Sequence, residues 1–152
     1  MARPYSDRSD LNMDERRLIE LTDSDAAPGV PDEAVITKTG VDSDDLIDGM
    51  VAGVYVIPFD VVPPIIRLIS ARLRRVYLYE HRESIDMPPT VRDGGKWALD
   101  TLKMIQTPDG GMVLPGAARV QSKSPASSPS SGSIDSGEAC GRKFGRKRDP
   151  LG

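Results

Sequence analysis

The chain has 152 residues and a net charge of −3, is 38% hydrophobic and 5% aromatic, and holds 14 Gly and 13 Pro. That length suffices for one domain, but the apolar content predicts a core of about 100 residues flanked by segments that bury little. The single cysteine, Cys140, excludes an internal disulfide, and the single histidine, His81, excludes a His-based triad or a multi-histidine zinc site within one chain.

The charge is unevenly spread. From Arg119 onward there are seven Lys and Arg against three acids, so the tail is +4 and the rest −7. An acidic body with a basic tail points to docking of that tail on something acidic, such as a neighbouring subunit. The polar N-terminus has no run resembling a signal peptide. The most apolar stretch, Val51 to Ile69, is broken by Pro58, Asp60, Pro63 and Pro64, which argues against a membrane span. The expectation is a soluble, cytoplasm-assembled protein with no membrane partner.

In chain order, residues 1–10 read as polar and flexible. A first helix is predicted over Leu11–Leu21, with Asp10 as N-cap and a stripe of Leu11, Leu18, Ile19 and Leu21. Residues 22–29, TDSDAAPG, read as a loop. Pro31 suits the first turn of a second helix whose positive end is met by Asp32 and Glu33. Its apolar rhythm runs through Val35, Ile36, Leu46, Ile47, Met50, Val51 and Val54. Gly40 is expected to kink or split it, with Ser43 capping the second half.

Residues 53–64 form a turn whose Tyr55, Ile57, Phe59 and Val61 are expected to pack on the body. A third helix starts at Pro63 or Pro64 and runs to His81. One face carries Ile65, Ile66, Ile69, Leu73, Val76 and Tyr77; another carries Arg67, Arg74 and His81, with Arg75 and Arg82 beside them. Pro88 and Pro89 precede a fourth helix ending near Gln106, weakened at its start by Gly94 and Gly95, with Trp97, Ala98, Leu102 and Ile105 as core and Trp97 as anchor. Met112–Leu114 reads as a short extended piece. The expected organisation is therefore an all-α, small four-helix bundle over 11–114, a Ser/Pro/Gly-rich linker over 115–140 with eight serines between Gln121 and Cys140, and a basic peptide, GRKFGRKRDPLG, over 141–152, the last two forming a long flexible C-terminal arm.

No catalytic, cofactor or metal site is expected. The aspartates of residues 42–48 lack the order and terminal Glu of an EF-hand loop, and the glycine pairs follow no phosphate-binding pattern. The candidate residues are instead interfacial. Arg67, Arg74 and Arg75 either pair with Asp42, Asp44, Asp45 and Asp48 of the preceding helix, within or between subunits, or meet DNA or an acidic partner. In the tail, Phe144 and Leu151 are candidate anchors, with Arg146 and Arg148 meeting acidic surface.

The order ELTD (20–23), LIDGMVAGVY (46–55), VPP (62–64) and RVYLYE (75–80) resembles a family of Mu-like phage head–tail connector proteins. Lys96–Ile105 is similar to that family's fourth helix, Val113–Leu114 to its closing apolar pair, and RKFGRKRDPLG to its basic-aromatic terminus. The likeness spans Leu11–Leu114 and the terminal peptide. A shortened N-terminal part, Gly40, Gly94, Gly95 and the long serine linker depart from it.

The resemblance implies a virion protein of the neck. It would form a homo-oligomeric ring, expected twelve-fold, beneath the portal protein, with a stopper or tail-terminator below. Genomic DNA would pass the lumen without specific binding. Two other classes remain open: a small DNA-binding accessory protein using the arginine helix and basic tail, and a scaffold or chaperone absent from finished virions.

Overall fold

The computed structural model describes residues 4–23, 29–107 and 111–120. A 3-10 turn at Arg8–Leu11 precedes four α-helices: α1 (Glu15–Thr22), α2 (Glu33–Val51), α3 (Pro64–His81) and α4 (Pro89–Gln106). The fold is all-α; among the described residues the only β pairing is an isolated antiparallel bridge between Tyr55 and Arg119. The linker and terminal peptide from residue 121 on lie outside the described residues.

α3 is the hub, packing against α2, α4, α1 and the 3-10 turn. The expected apolar face is there, with Ile66, Ile69 and Leu73 buried. The helix is also buried on a second side, through Ala71, Leu78 and Tyr79. One apolar cluster therefore joins α2, α3, α4 and the α2–α3 connection, including Ile47, Tyr55, Ile66, Leu73 and Leu102. A second joins α1 and the opposite side of α3 through Leu11, Leu18, Leu21, Leu78 and Tyr79, with Ile36 of α2.

Helix starts follow local chemistry. Pro64 and Pro89 open α3 and α4, where a missing N–H leaves nothing unsatisfied. α2 starts at Glu33, not at Pro31, because the Asp32 carboxylate accepts from the Ala34 and Val35 amides at 2.9 and 3.4 Å and so is the N-cap. The first helix also begins later than its apolar rhythm suggests. Asn12 sits in the left-handed region at φ 47°, which ends the 3-10 turn, and Asp14 caps α1 by accepting from the Arg17 amide at 2.8 Å. Asp10 serves the turn instead, accepting from the Asp7 amide at 2.7 Å.

Residues 5 and 6, expected to be loose, are buried. Tyr5 joins the first core cluster, 5.6 Å from Phe59 between ring centroids, and Ser6 is 1% exposed. The domain boundary expected at residue 114 is also passed. Leu114 is buried, its amide donates to the Tyr55 hydroxyl at 3.0 Å, and Ala117 packs on the core. Backbone bonds Val56 N to Ala118 O (2.8 Å) and Val120 N to Val54 O (2.9 Å) then fasten 118–120 to the α2–α3 connection. Within that connection Tyr55 and Phe59 pack inward as expected, but Val61 is 77% exposed.

Two of the three helix glycines expected to be weak points, Gly40 and Gly95, are packing devices. α2 runs unbroken through Gly40, and α4 through Gly94 and Gly95. A Cβ on Gly95 would sit 2.6 Å from Val76 Cγ2, so the bare backbone lets α4 approach α3. Ser43 does not cap; its hydroxyl donates to the Gly40 carbonyl within the helix at 2.8 Å. Gly95→Ala is expected to lower stability by about 1–3 kcal/mol through overpacking, despite the better helix propensity of alanine. Urea unfolding should show that loss, and Val76→Ala in the same chain should relieve it.

Candidate assembly surface and the arginines of the third helix

Arg74 is not on the surface. It is 4% exposed, and its guanidinium passes across α2 at Gly40, where an added Cβ would lie 3.2–3.3 Å from its Cζ, Nε and Nη2 atoms. Nη1 donates to the Ser6 carbonyl at 2.6 Å and to the Ser6 hydroxyl at 3.2 Å; Nη2 donates to the Ile36 carbonyl at 3.1 Å. Nε, also buried, has no protein partner among the described residues. Burial pulls the Arg74 pKa below its ordinary value, with the Asp44, Asp7 and Asp10 charges acting in the other direction.

The cation reaches Asp44 through hydroxyls rather than directly. Ser6 and Ser70 Oγ atoms are 2.8 Å apart, and Ser70 donates to Asp44 Oδ1 at 2.9 Å. Because the single Ser70 proton is committed to the carboxylate, the relay runs one way: Arg74 to Ser6, Ser6 to Ser70, Ser70 to Asp44. Asp44 Oδ2 accepts from the Tyr5 amide at 2.9 Å. Burial nevertheless raises the Asp44 pKa, with these hydrogen bonds and Arg74 only partly opposing it.

The neighbouring arginines also serve main-chain carbonyls. Arg75 Nε donates to the Leu11 carbonyl, and Arg82 Nη1 to the Asp23 carbonyl at 2.6 Å. Arg17 of α1 answers from the other side, donating to the Tyr79 hydroxyl at 3.1 Å with its guanidinium 5.2 Å from the ring centroid. Arg74, Arg75 and Arg82 thus bind the N-terminal segment to α3. Within the protomer the pairing expected with Asp44, Asp45 and Asp48 is not direct: among the described residues the ion pairs are Arg8 with Glu15 and Glu33, Arg16 and Arg17 with Glu20, and Lys103 with Asp100. The reason is geometric, since the carbonyls of residues 6, 11 and 23 come within reach first.

The remaining candidates separate. Arg67 and Asp45 are exposed, Asp48 accepts from the Tyr5 hydroxyl, and His81 is exposed at the end of α3. Phe144, Arg146, Arg148 and Leu151 lie outside the described residues. Trp97 is not a core anchor: it is 37% exposed, with the Arg72 guanidinium 4.2 Å above its ring. Arg72 belongs to the surface although the sequence did not single it out; its spacing of two from Arg74 on a helix was the available signal. Tyr5 and Ser6 carried no periodic signal. Among the described residues no three His, Cys, Asp or Glu side chains come together as metal ligands.

This all-α arrangement carries the ordered segments noted above, and residues 5–131 match the family model described as Bacteriophage Mu, Gp36. The chain belongs to the Bacteriophage Mu Gp36 family. It is a Mu-like phage protein. Gene product J of Escherichia phage Mu is similar to it, 33% identical over 81 residues, a stretch covering 53% of this chain and 57% of that relative. The match therefore takes in little more than half the length of the curated relative. The family region runs through the Arg74 network and the Tyr55–Arg119 bridge and ends within the serine-rich stretch.

Arg74→Ala leaves the buried Ser6 carbonyl without its side-chain donor, whereas the Ile36 carbonyl keeps the Thr39 hydroxyl at 3.0 Å, and a loss of about 1–3 kcal/mol is expected. Hydrogen exchange should show amides of residues 4–23 losing protection before those of α4. For Asp44, a raised folded pKa means stability from its proton is present in acid and is lost as pH rises through that pKa. Wild type should therefore gain stability relative to Asp44→Asn as pH falls through the region just above the ordinary carboxylate value of about 4. Thermal melts of the two proteins across that range provide the check; a wild-type melting temperature that falls relative to that of Asp44→Asn in acid contradicts it.

Proposed function

We propose that this protein is a structural virion component acting as the head–tail connector: a ring beneath the portal that links capsid to tail and extends the DNA channel. The observation carrying this reading is the ordered ELTD, LIDGMVAGVY, VPP and RVYLYE series, which resembles connectors and falls inside the residues matched by the Mu family. These segments end α1, close α2, open α3 and finish α3, so they mark the joints of the fold. The chemistry is that of assembly, not turnover. Many weak contacts repeated around a ring, expected twelve-fold, make a stable joint. The terminal peptide 141–152 reaches a portal or adjacent subunit, and a stopper or tail-terminator binds below.

The competing DNA-binding reading loses much of its surface, since Arg74, Arg75 and Arg82 are committed to carbonyls of the chain itself. What it retains is Arg67, Arg72 and the tail cations. Steeply salt-dependent duplex binding by the isolated protein would favour it.

Electron microscopy of the purified protein mixed with its portal is expected to show rings, and their absence at every mixing ratio would sink the connector reading. Deleting residues 141–152 should leave the circular dichroism spectrum and melting temperature of the domain unchanged while reducing portal attachment. Undiminished attachment rejects a docking role for that peptide.

A further inference from the structure

Two surface features left over from the network lie on opposite flanks of the protomer. The first is a cleft of about 390 Å³ between α3 and α4, walled by Arg72, Arg75, Thr90, Val91, Asp93 and Trp97. Two guanidiniums stand in it, and the Arg75 pKa is lowered, first by burial and then by the Arg72 charge. Among the described residues no carboxylate comes within 4 Å of either arginine, Asp93 of the wall included. One turn before Arg72 on the same stripe, Leu68 is 43% exposed. The second feature is the outer face of α2, where Asp42 and Asp45 are exposed, with Lys38 as the cation among them. Val41, one turn before Asp45, is 51% exposed.

Helix geometry sets these surfaces back to back. Ser70 of α3 and Ser43 of α2 face each other, with hydroxyls 3.3 Å apart. At 3.6 residues per turn, Arg72 lies about 160° and Arg75 about 140° round α3 from Ser70. Val41 and Asp45, each two residues from Ser43, lie about 160° round α2 from it. The cleft therefore opens away from α2, and the Val41–Asp45 face looks away from α3, while Asp42, about 100° from Ser43, borders Tyr77, Glu80 and His81 of α3.

We propose that the Arg72–Trp97 cleft of one protomer receives the Val41–Asp45 face of α2 from a second copy of this chain. Charges are opposite, each face pairs one exposed aliphatic side chain with one charge a helical turn away, and the cleft supplies tryptophan and arginine, the residue types that carry most binding energy in protein interfaces. Because the two surfaces differ, the contact is head-to-tail and continues from copy to copy, closing into a ring when the rotation per subunit allows. This names the subunit contact of the proposed ring and rests on that reading.

Trp97 is the chain's single tryptophan, so its emission reports occupancy of the cleft directly. In the full chain, sedimentation velocity and Trp97 emission are followed against concentration, alone and with portal, for wild type, Arg72→Asp, Asp45→Arg and the double variant. Wild type is expected to associate with a blue shift. Each single reversal should weaken association by about tenfold or more, and the double reversal should restore most of it. If wild type forms rings and the single variants match it, this pairing is overturned while the ring reading stands. If wild type stays monomeric in both conditions, the ring reading fails and the pairing with it. A Trp97 shift produced by duplex DNA on a monomer overturns the proposal in favour of nucleic-acid binding.

Discussion

A guanidinium taken out of water is held in this protein by other parts of the same chain, and much of the architecture follows from it. Removing a cation from solvent costs several kcal/mol unless its donors are met. Arg74 meets that demand at Nη1 and Nη2, though not at Nε, with carbonyls from two different elements, Ser6 in the N-terminal segment and Ile36 in α2. Gly40 leaves room for the group, and the Ser6–Ser70 relay links it to the opposite charge on Asp44. Apolar surfaces tolerate sliding; hydrogen bonds to a planar fork do not. The register between α2, α3 and residues 5–6 is thereby set by a polar contact, and the apolar clusters fill in around it.

The same economy governs the arginines that follow. With Arg75 and Arg82 bound to carbonyls at residues 11 and 23, the basic stripe of α3 is largely internal to the protomer. It acts as a row of clasps that keeps the short helix α1 against the hub, where an eight-residue helix would not persist alone. The surface that remains for partners is smaller and more sharply patterned than the composition suggests.

Much of the fold was legible because its signals are local. Proline at the start of α3 and α4, Asp32 before α2 and the apolar rhythm of α2 through α4 each act within a few residues. What was not legible depends on contacts across the chain. Gly40 and Gly95 read as helix defects because propensity is a property of one residue, whereas their value lies in Arg74 and Val76 opposite them. Tyr5 and Ser6 looked solvated because nothing nearby in sequence announces a buried arginine. Trp97 was taken for core on its size, although α4 meets α3 through smaller residues, Gly95 and Ala98 among them, and leaves the indole at the edge under Arg72. Arg74, Arg75 and Arg82 stood out in the sequence, with pairing to the α2 aspartates as one of two readings, but within the protomer their partners are carbonyls.

The bridge between Tyr55 and Arg119 has a mechanical consequence. The chain does not leave the domain from the free end of α4. It first doubles back, seats Leu114 beneath the Tyr55 hydroxyl and is fastened by two backbone hydrogen bonds to the connection between α2 and α3. Tension applied through the downstream residues is taken up by that fastening and passed to the entrance of the hub helix, so α4 is shielded from being unwound from its end.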